Sequence, residues 1–321
     1  VSIEVPAAEK SRLQRALDPF RNYNYRVYFI GQLISQVGAW MQKIGQAWLV
    51  LELSHSPVAL GTVAFLQFLP ITCGSLLASV FVDRMPKHRL LVVTQILALI
   101  QATILAVLTV TGHIEIWHVY VLALFLGIVN ALDSPLRLSF VMELVGRDKL
   151  VNAVGLNSAM NNGARLFGPA LAGLSIAAWG VGVCFILNAV SFLAVVVGLL
   201  MMRPAEFQGL PARDGERKKV AAEMGEGIRY IFSHPDLVMV VMVMAGLGCF
   251  GYNYNTTVPL MAENALHVGP DGFGLLMASV GLGALVGAVT VASGARSPSA
   301  NKLLLAGGGF GAAQVAVSFA P

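Results

Sequence analysis

Residues 26–50 read RVYFIGQLISQVGAWMQKIGQAWLV, and the fold turns on how this stretch is read. A strand of a membrane barrel needs about 10 residues, whereas a helix crossing the hydrocarbon core needs about 20, so the run fits a spanning helix. At about 100° per residue, Gln32, Ser35, Gln36, Lys43 and Gln46 share one arc of about 100°, while Val27, Phe29, Leu33, Val37 and Trp48 take the other directions. A lysine at mid-membrane costs about 2.5–3.5 kcal/mol on insertion scales. The stripe is therefore expected to face a watery cavity or a polar partner. The alternative is hydrogen bonding between helices with Lys43 reaching outward. That reach is strained, because Lys43 stands about eight residues, roughly 12 Å, from the outer helix end.

Eight further segments follow by the same rule, at 58–82, 90–111, 117–136, 151–178, 181–202, 237–258, 272–293 and 302–320. Composition agrees: 56% of the 321 residues are hydrophobic and 12% charged, against about 25% charged in soluble domains. Unpaired backbone is excluded from lipid, so the expected class is an all-α membrane protein. The net charge of +4 does not point to nucleic acid, because the bases alternate between connections. Nineteen of the 21 Lys and Arg lie before the first segment or in connections 2–3, 4–5, 6–7 and 8–9, and none lies in 1–2, 3–4, 5–6 or 7–8. Positive residues stay inside, so the N-terminus is expected in the cytoplasm. Residues 1–25 are polar and basic and lack the short apolar core of a signal peptide.

Four regions follow: a cytoplasmic segment at 1–25, a six-helix bundle at 26–202, a cytoplasmic loop at 203–236 and a partial second bundle at 237–321. Within the loop, residues 216–232 could lie along the membrane surface or form a solvated linker. A shift of 213 residues brings Gly38 onto Gly251, Pro57 onto Pro270, Gly61 onto Gly274, Gly74 onto Gly287 and Arg89 onto Lys302. Parallel six-helix repeats build one transporter class, so the second bundle is expected to be truncated here after about nine helices, with three more to follow.

The other two-sided feature is segment five, where Asn157, Ser158, Asn161, Asn162 and Arg165 form a second polar face. Arg165 requires a carboxylate, carbonyls or water at that depth. Asp133 and Glu143 are the candidate acids, for a structural pair or for a role with substrate or protons. Gly168, Pro169 and Gly173 then permit a close, bent helix contact. Segment seven ends in a polar face that includes Asn253 and Thr257. The 2–3 connection carries Asp83, Arg84, Lys87 and Arg89, which taken alone is an ordinary charged loop. Cys73, Cys184 and Cys249 lie in apolar stretches without metal-ligand spacing.

In order and spacing these residues resemble the major facilitator superfamily, within it the bacterial exporter branch to which the enterobactin exporter belongs. Asp83-Arg84-x-x-Lys87-x-Arg89 resembles the superfamily's 2–3 loop motif, with Ser79 and Pro86 standing where that motif has glycines. Gly168-Pro169-x-x-Ala172-Gly173 resembles the helix-5 antiporter motif. Gly38 to Gln42, Trp48 to Val50, Ser54 to Pro57, Asp133-Ser134-Pro135-x-Arg137 and Asn188-x-x-Ser191-Phe192 resemble the branch. The resemblance implies two six-helix bundles rocking about a central cavity, lined by the first helix of each triplet. The 2–3 loop would hold the outward-facing state and the helix-5 motif would set the packing for export. The arginine many drug–proton antiporters carry near the start of helix 4 is missing.

The expected function is proton-coupled efflux of a hydrophobic or amphipathic small molecule (a drug, siderophore or metabolite) across the bacterial inner membrane, by a monomer without metal or cofactor. Gln32, Gln36, Lys43, Gln46, Asn157, Asn161, Arg165 and Asn253 would line the cavity, and Asp133 and Arg165 are the coupling candidates. An uptake symporter or facilitator and a non-transporting sensor are the alternatives. An enzyme is disfavoured, because the six histidines are scattered and no paired acids or activated nucleophile stand out. No nucleotide-binding Gly-x-x-x-x-Gly-Lys-Ser/Thr loop is present.

Overall fold

The computed structural model describes residues 17–82, 85–208, 229–246, 248 and 254–269, with side chains left undescribed at 75–82, 254–256 and 264, and scattered positions between 272 and 312. Among these residues every regular element is helical. The long helices are α1 (Tyr23–Ser54), α2 (Pro57–Val82), α3 (Lys87–Val110), α4 (Ile116–Val145), α5 (Leu150–Trp179) and α6 (Gly182–Leu200), followed by α7 (Pro235–Gly246) and α8 (Tyr254–Asn264). Segments eight and nine fall largely outside the described residues, as do most of 216–232, Asn253 and Cys249.

Local chemistry sets the ends. The Asn22 side chain caps α1 by accepting the Tyr25 N–H at 3.1 Å. At the other end His55 adopts a left-handed backbone (φ 46°) and its N–H closes on the Leu51 carbonyl at 2.8 Å. Pro57, which needs no partner for an N–H it lacks, then opens α2. Glu115 and His118 form a reciprocal box at the start of α4, with the Glu115 N–H donating to His118 Nδ1 at 3.0 Å.

Two boundaries differ from the sequence reading: segment seven was expected to end at 258, yet α8 runs through Pro259 to Asn264. Segment four was expected to end at 136, before Arg137, yet α4 continues to Val145 through Pro135. Proline removes one hydrogen bond, and the turns beyond it are anchored by Phe140, Val141 and Leu144, all fully buried. Asp133, Arg137 and Glu143 therefore stand on one helix, and the 4–5 connection shrinks to a tight turn at Gly146 (φ 76°) and residues 147–149.

Glycine decides how closely the helices approach. Gly31, Gly38 and Gly45 recur every seven residues on α1, two turns apart. They face Val195, then Asn188 and Ser191, then Cys184 on the antiparallel α6. A Cβ on Gly38 would sit 2.6 Å from Ser191 Oγ. Gly127 lets α4 meet α2, Gly168 rests against Trp40 of α1, and Gly173 touches Gly274.

Two apolar clusters bracket the bundle. One, at the end away from the basic connections, joins Ile44, Val50, Leu105, Val119 and Phe185. The other, at the base-rich end, joins Tyr28, Leu91, Leu136, Phe140 and Leu199. The outer faces are apolar too: Val58 is 77%, Val151 81% and Leu200 67% exposed, a surface suited to lipid rather than water. By length and hydropathy α2, α3, α4 and α6 qualify as spans. The equally long α1 and α5 do not, and they are the two helices with polar faces.

Candidate functional site: a polar cavity within the helix bundle

Between the two apolar clusters lies a cavity of about 250 Å³, walled by α1, α2, α4 and α6. Gln36, Trp40, Lys43 and Gln46 supply the α1 wall, Gln67 and Phe68 the α2 wall, Asn130 the α4 wall, and Asn188 and Phe192 the α6 wall. The polar residues of α1 thus separate into two sets. Gln36, Lys43 and Gln46 face the cavity, whereas Gln32 and Ser35 are buried off it at 1% and 2% exposure. Neither amide atom of Gln32 has a partner among the described residues.

The face on α5 meets α1 beside the cavity. Asn161 accepts a hydrogen bond from Gln36 Nε2. The Arg165 guanidinium lies 5.4 Å and the Lys43 ammonium 4.9 Å from the centre of the Trp40 ring, both within reach of the ring's negative face. Asn157 is half-buried, and its Oδ1 lacks a partner among the described residues. Ser158 and Asn162 bond carbonyls of their own helix, those of Val154 and Ser158, each at 3.0 Å. Gly168 is the space that admits Trp40, since a Cβ there would collide with the Trp40 Cβ.

Behind the wall runs a buried amide chain. Gln42 Nε2 donates to Gln101 Oε1 at 3.1 Å, and Asn188 Nδ2 donates to Gln42 Oε1 at 2.7 Å. Ser191 Oγ completes it on the Asn188 carbonyl at 2.7 Å. Gln101 Nε2 donates to the Leu122 carbonyl at 3.4 Å and Asn188 Oδ1 accepts from Ser191 Oγ at 3.1 Å, so each amide is partnered, as burial in a low-dielectric interior requires.

Asp133 stands apart from the cavity lining and is 5% exposed. Its Oδ1 accepts from Thr94 Oγ1 and Gln95 Nε2, each at 2.8 Å, and its Oδ2 pairs with Arg137 one turn along. Glu143 binds Lys87 Nζ at 2.8 Å. The two acids weighed as partners for Arg165 are thus engaged by Arg137 and Lys87. Lys87 ties the start of α3 to the end of α4, and beside it His88 Nε2 donates to the Leu199 carbonyl at 2.9 Å. Arg89 is exposed, and Asp83 and Arg84 lie outside the described residues. A double-mutant cycle on Lys87→Met and Glu143→Gln, read by thermal unfolding, is expected to give about 1–3 kcal/mol of coupling for a part-buried pair. Additive effects would show that the contact holds nothing.

At the base-poor end the later helices close onto the first bundle. His55 Nδ1 and Glu263 Oε1 are 3.2 Å apart, the Trp48 and Phe273 rings stack with centres 5.8 Å apart, and Gly274 abuts Gly173. Phe273 and Met277 are buried there. Toward the base-rich end α7 has no buried residue among those described.

Sequence reasoning missed the roles of Trp40, Gln42, Gln67, Asn130 and Asn188. Gln67, Asn130 and Asn188 are isolated amides in largely apolar stretches, and Gln42 adjoins Lys43 off the stripe on α1. No helical stripe on α2, α4 or α6 raised the isolated amides above background.

Long helices with lipid-compatible exteriors, packed on glycine seams around a polar cavity, define a multi-pass membrane protein of transporter type. The chain belongs to the transmembrane secretion effector family, a branch of the major facilitator superfamily, which residues 14–321 match. It is 25% identical over 262 residues to the staphyloferrin A transporter of Staphylococcus aureus, covering 81% of this chain and 65% of that one. It is 24% identical over 264 residues to the multidrug efflux pump Tap of Mycolicibacterium fortuitum (80% and 64% covered). Over 281 residues it is 24% identical to the enterobactin exporter EntS of Citrobacter koseri (88% and 66% covered). The chain spans about two thirds of the length of these relatives.

Proposed function

We propose that the intact protein is a secondary active exporter of the bacterial inner membrane, with its N-terminus in the cytoplasm. It exchanges protons for a hydrophobic or amphipathic small molecule, of the kind that the drug- and siderophore-handling relatives are named for. The observation that carries the proposal is the cavity: amides, one ammonium and aromatic rings, held between apolar clusters inside a lipid-facing bundle. Convergent polar groups in an apolar pocket are the usual form of a small-molecule site.

Closure at the base-poor end fits an inward-facing state, from which an exporter loads. With the basic connections in the cytoplasm, the bundle is sealed on the outer side by His55–Glu263 and Trp48–Phe273. That arrangement suits loading from inside. Rocking of one bundle against the other would break these contacts and release the substrate outward. Asp133 and Arg165 remain the coupling candidates. A proton on Asp133 would remove the charge that accepts from Thr94 and Gln95 of α3 and holds Arg137 of its own helix, and so offers a route from protonation to a shift between α3 and α4.

The test is pH-driven transport by the intact protein in everted vesicles, with Asp133→Asn and Arg165→Ala beside the wild type. Loss of pH dependence in at least one variant is expected. Unchanged pH-driven transport in both would reject these residues. Accumulation rather than depletion of substrate in intact cells would replace export by uptake.

A further inference from the structure

The described cavity wall carries one ammonium and no carboxylate, and this bears on which substrates it selects. Among the described lining residues Lys43 is the only ionisable one. Gln42 and Asn188 are committed to each other and to Gln101. Gln46 Oε1 accepts from Gln67 Nε2 at 3.3 Å. Its own Nε2, in a side chain 2% exposed, then has no partner among the described residues. Lys43 and Gln46, three residues apart on α1, project from the same helix face.

The surroundings reinforce this polarity. Two cations, Lys43 and Arg165, lie against the one Trp40 ring. A negative group set beside the Lys43 ammonium, away from bulk water, lowers its energy. A cationic substrate would meet an ammonium and a spare amide donor. An anionic one would gain a charge-assisted hydrogen bond and fill the valence that Gln46 leaves open. Trp40, Phe68 and Phe192 on the same wall offer flat apolar surface to the rest of the molecule.

Resting on the transporter reading above, we propose that this cavity selects anionic substrates: an oxyanion, carboxylate in type, binds Lys43 and Gln46 while its planar apolar body lies against Trp40. The volume of about 250 Å³ is just below the usual 300–1,000 Å³ of ligand sites. It suits one acidic aromatic unit, or the acidic end of a larger molecule.

Three probes of nearly one shape and different charge test this: benzoate (anionic), benzamide (neutral) and benzamidine (cationic). Equilibrium binding to the intact protein in lipid nanodiscs is expected to rank benzoate first. Lys43→Gln should weaken benzoate about tenfold, as loss of one charge-assisted bond implies, and leave benzamide unchanged. Lys43→Arg should retain most of the benzoate affinity. Benzamidine binding more tightly than benzoate would overturn the proposal, and so would wild-type benzoate affinity in Lys43→Gln. If Lys43→Gln does not fold, Gln46→Leu carries the test with the same two outcomes. Transport is measured separately. Benzoate binding that depends on Lys43 without any transport leaves the site standing and removes the transporter reading. Transport of a neutral dye, with benzoate binding indifferent to Lys43, does the reverse.

Discussion

Replacing Arg137 by methionine is expected to destabilise the bundle by about 3–5 kcal/mol, the usual cost of stranding one partner of a buried ion pair. Asp133 would keep its hydrogen bonds from Thr94 and Gln95 but lose the cation beside its carboxylate, which is only 7% exposed. The loss should appear as a large drop in the midpoint of thermal unfolding in detergent or nanodiscs. The double variant Asp133→Asn with Arg137→Met removes both charges and retains groups able to bond Thr94 and Gln95. It is expected to recover at least half of the deficit, since replacing a buried pair as a unit is often nearly neutral. Single and double variants that both melt with the wild type would mean that the pair is structurally idle.

Gly127→Leu should have the next largest effect. A Cβ at this position would lie 2.6 Å from the Gln67 carbonyl oxygen and 3.0 Å from that of Leu66. Both obstacles are backbone, so no side-chain rotation relieves the clash and α2 must move off α4. Overpacking of this kind costs about 1–3 kcal/mol and often more. Because Gln67, Leu126 and Asn130 flank the contact and line the cavity, the same displacement should deform the binding wall and abolish transport. Gly155→Ala is the control: nothing lies within 4 Å of its new Cβ, and alanine favours the helix by about 1 kcal/mol. A Gly127→Leu protein that melts and transports like the control would refute the close α2–α4 contact.

Most of the membrane architecture was legible in the residues. The first six segments match α1 to α6 within a few residues at nearly every end, because lipid leaves the backbone no partner but itself and long apolar runs have one solution. The exception, the extension of α4 to Val145, shows the limit. Proline and charge near 135–137 resembled a membrane boundary, and only burial of Phe140 and Leu144 against neighbouring helices reveals that the helix continues inside the protein. The stripe on α1 was found by its period, yet the period could not say which of its members meet open space.

That division has a physical basis. Helical periodicity is a property of one chain segment, so the residues alone determined that α1 and α5 each carry a polar face and that nearly all the bases keep to alternate connections. Partner choice depends on which helix stands opposite, and that was settled only when the glycine seams brought distant segments together. Continuation of α4 past Pro135 gave Asp133 to Arg137 one turn along, a local contact, whereas tertiary packing buried Gln32 away from the cavity that Lys43 faces and set isolated amides from α2, α4 and α6 around Trp40.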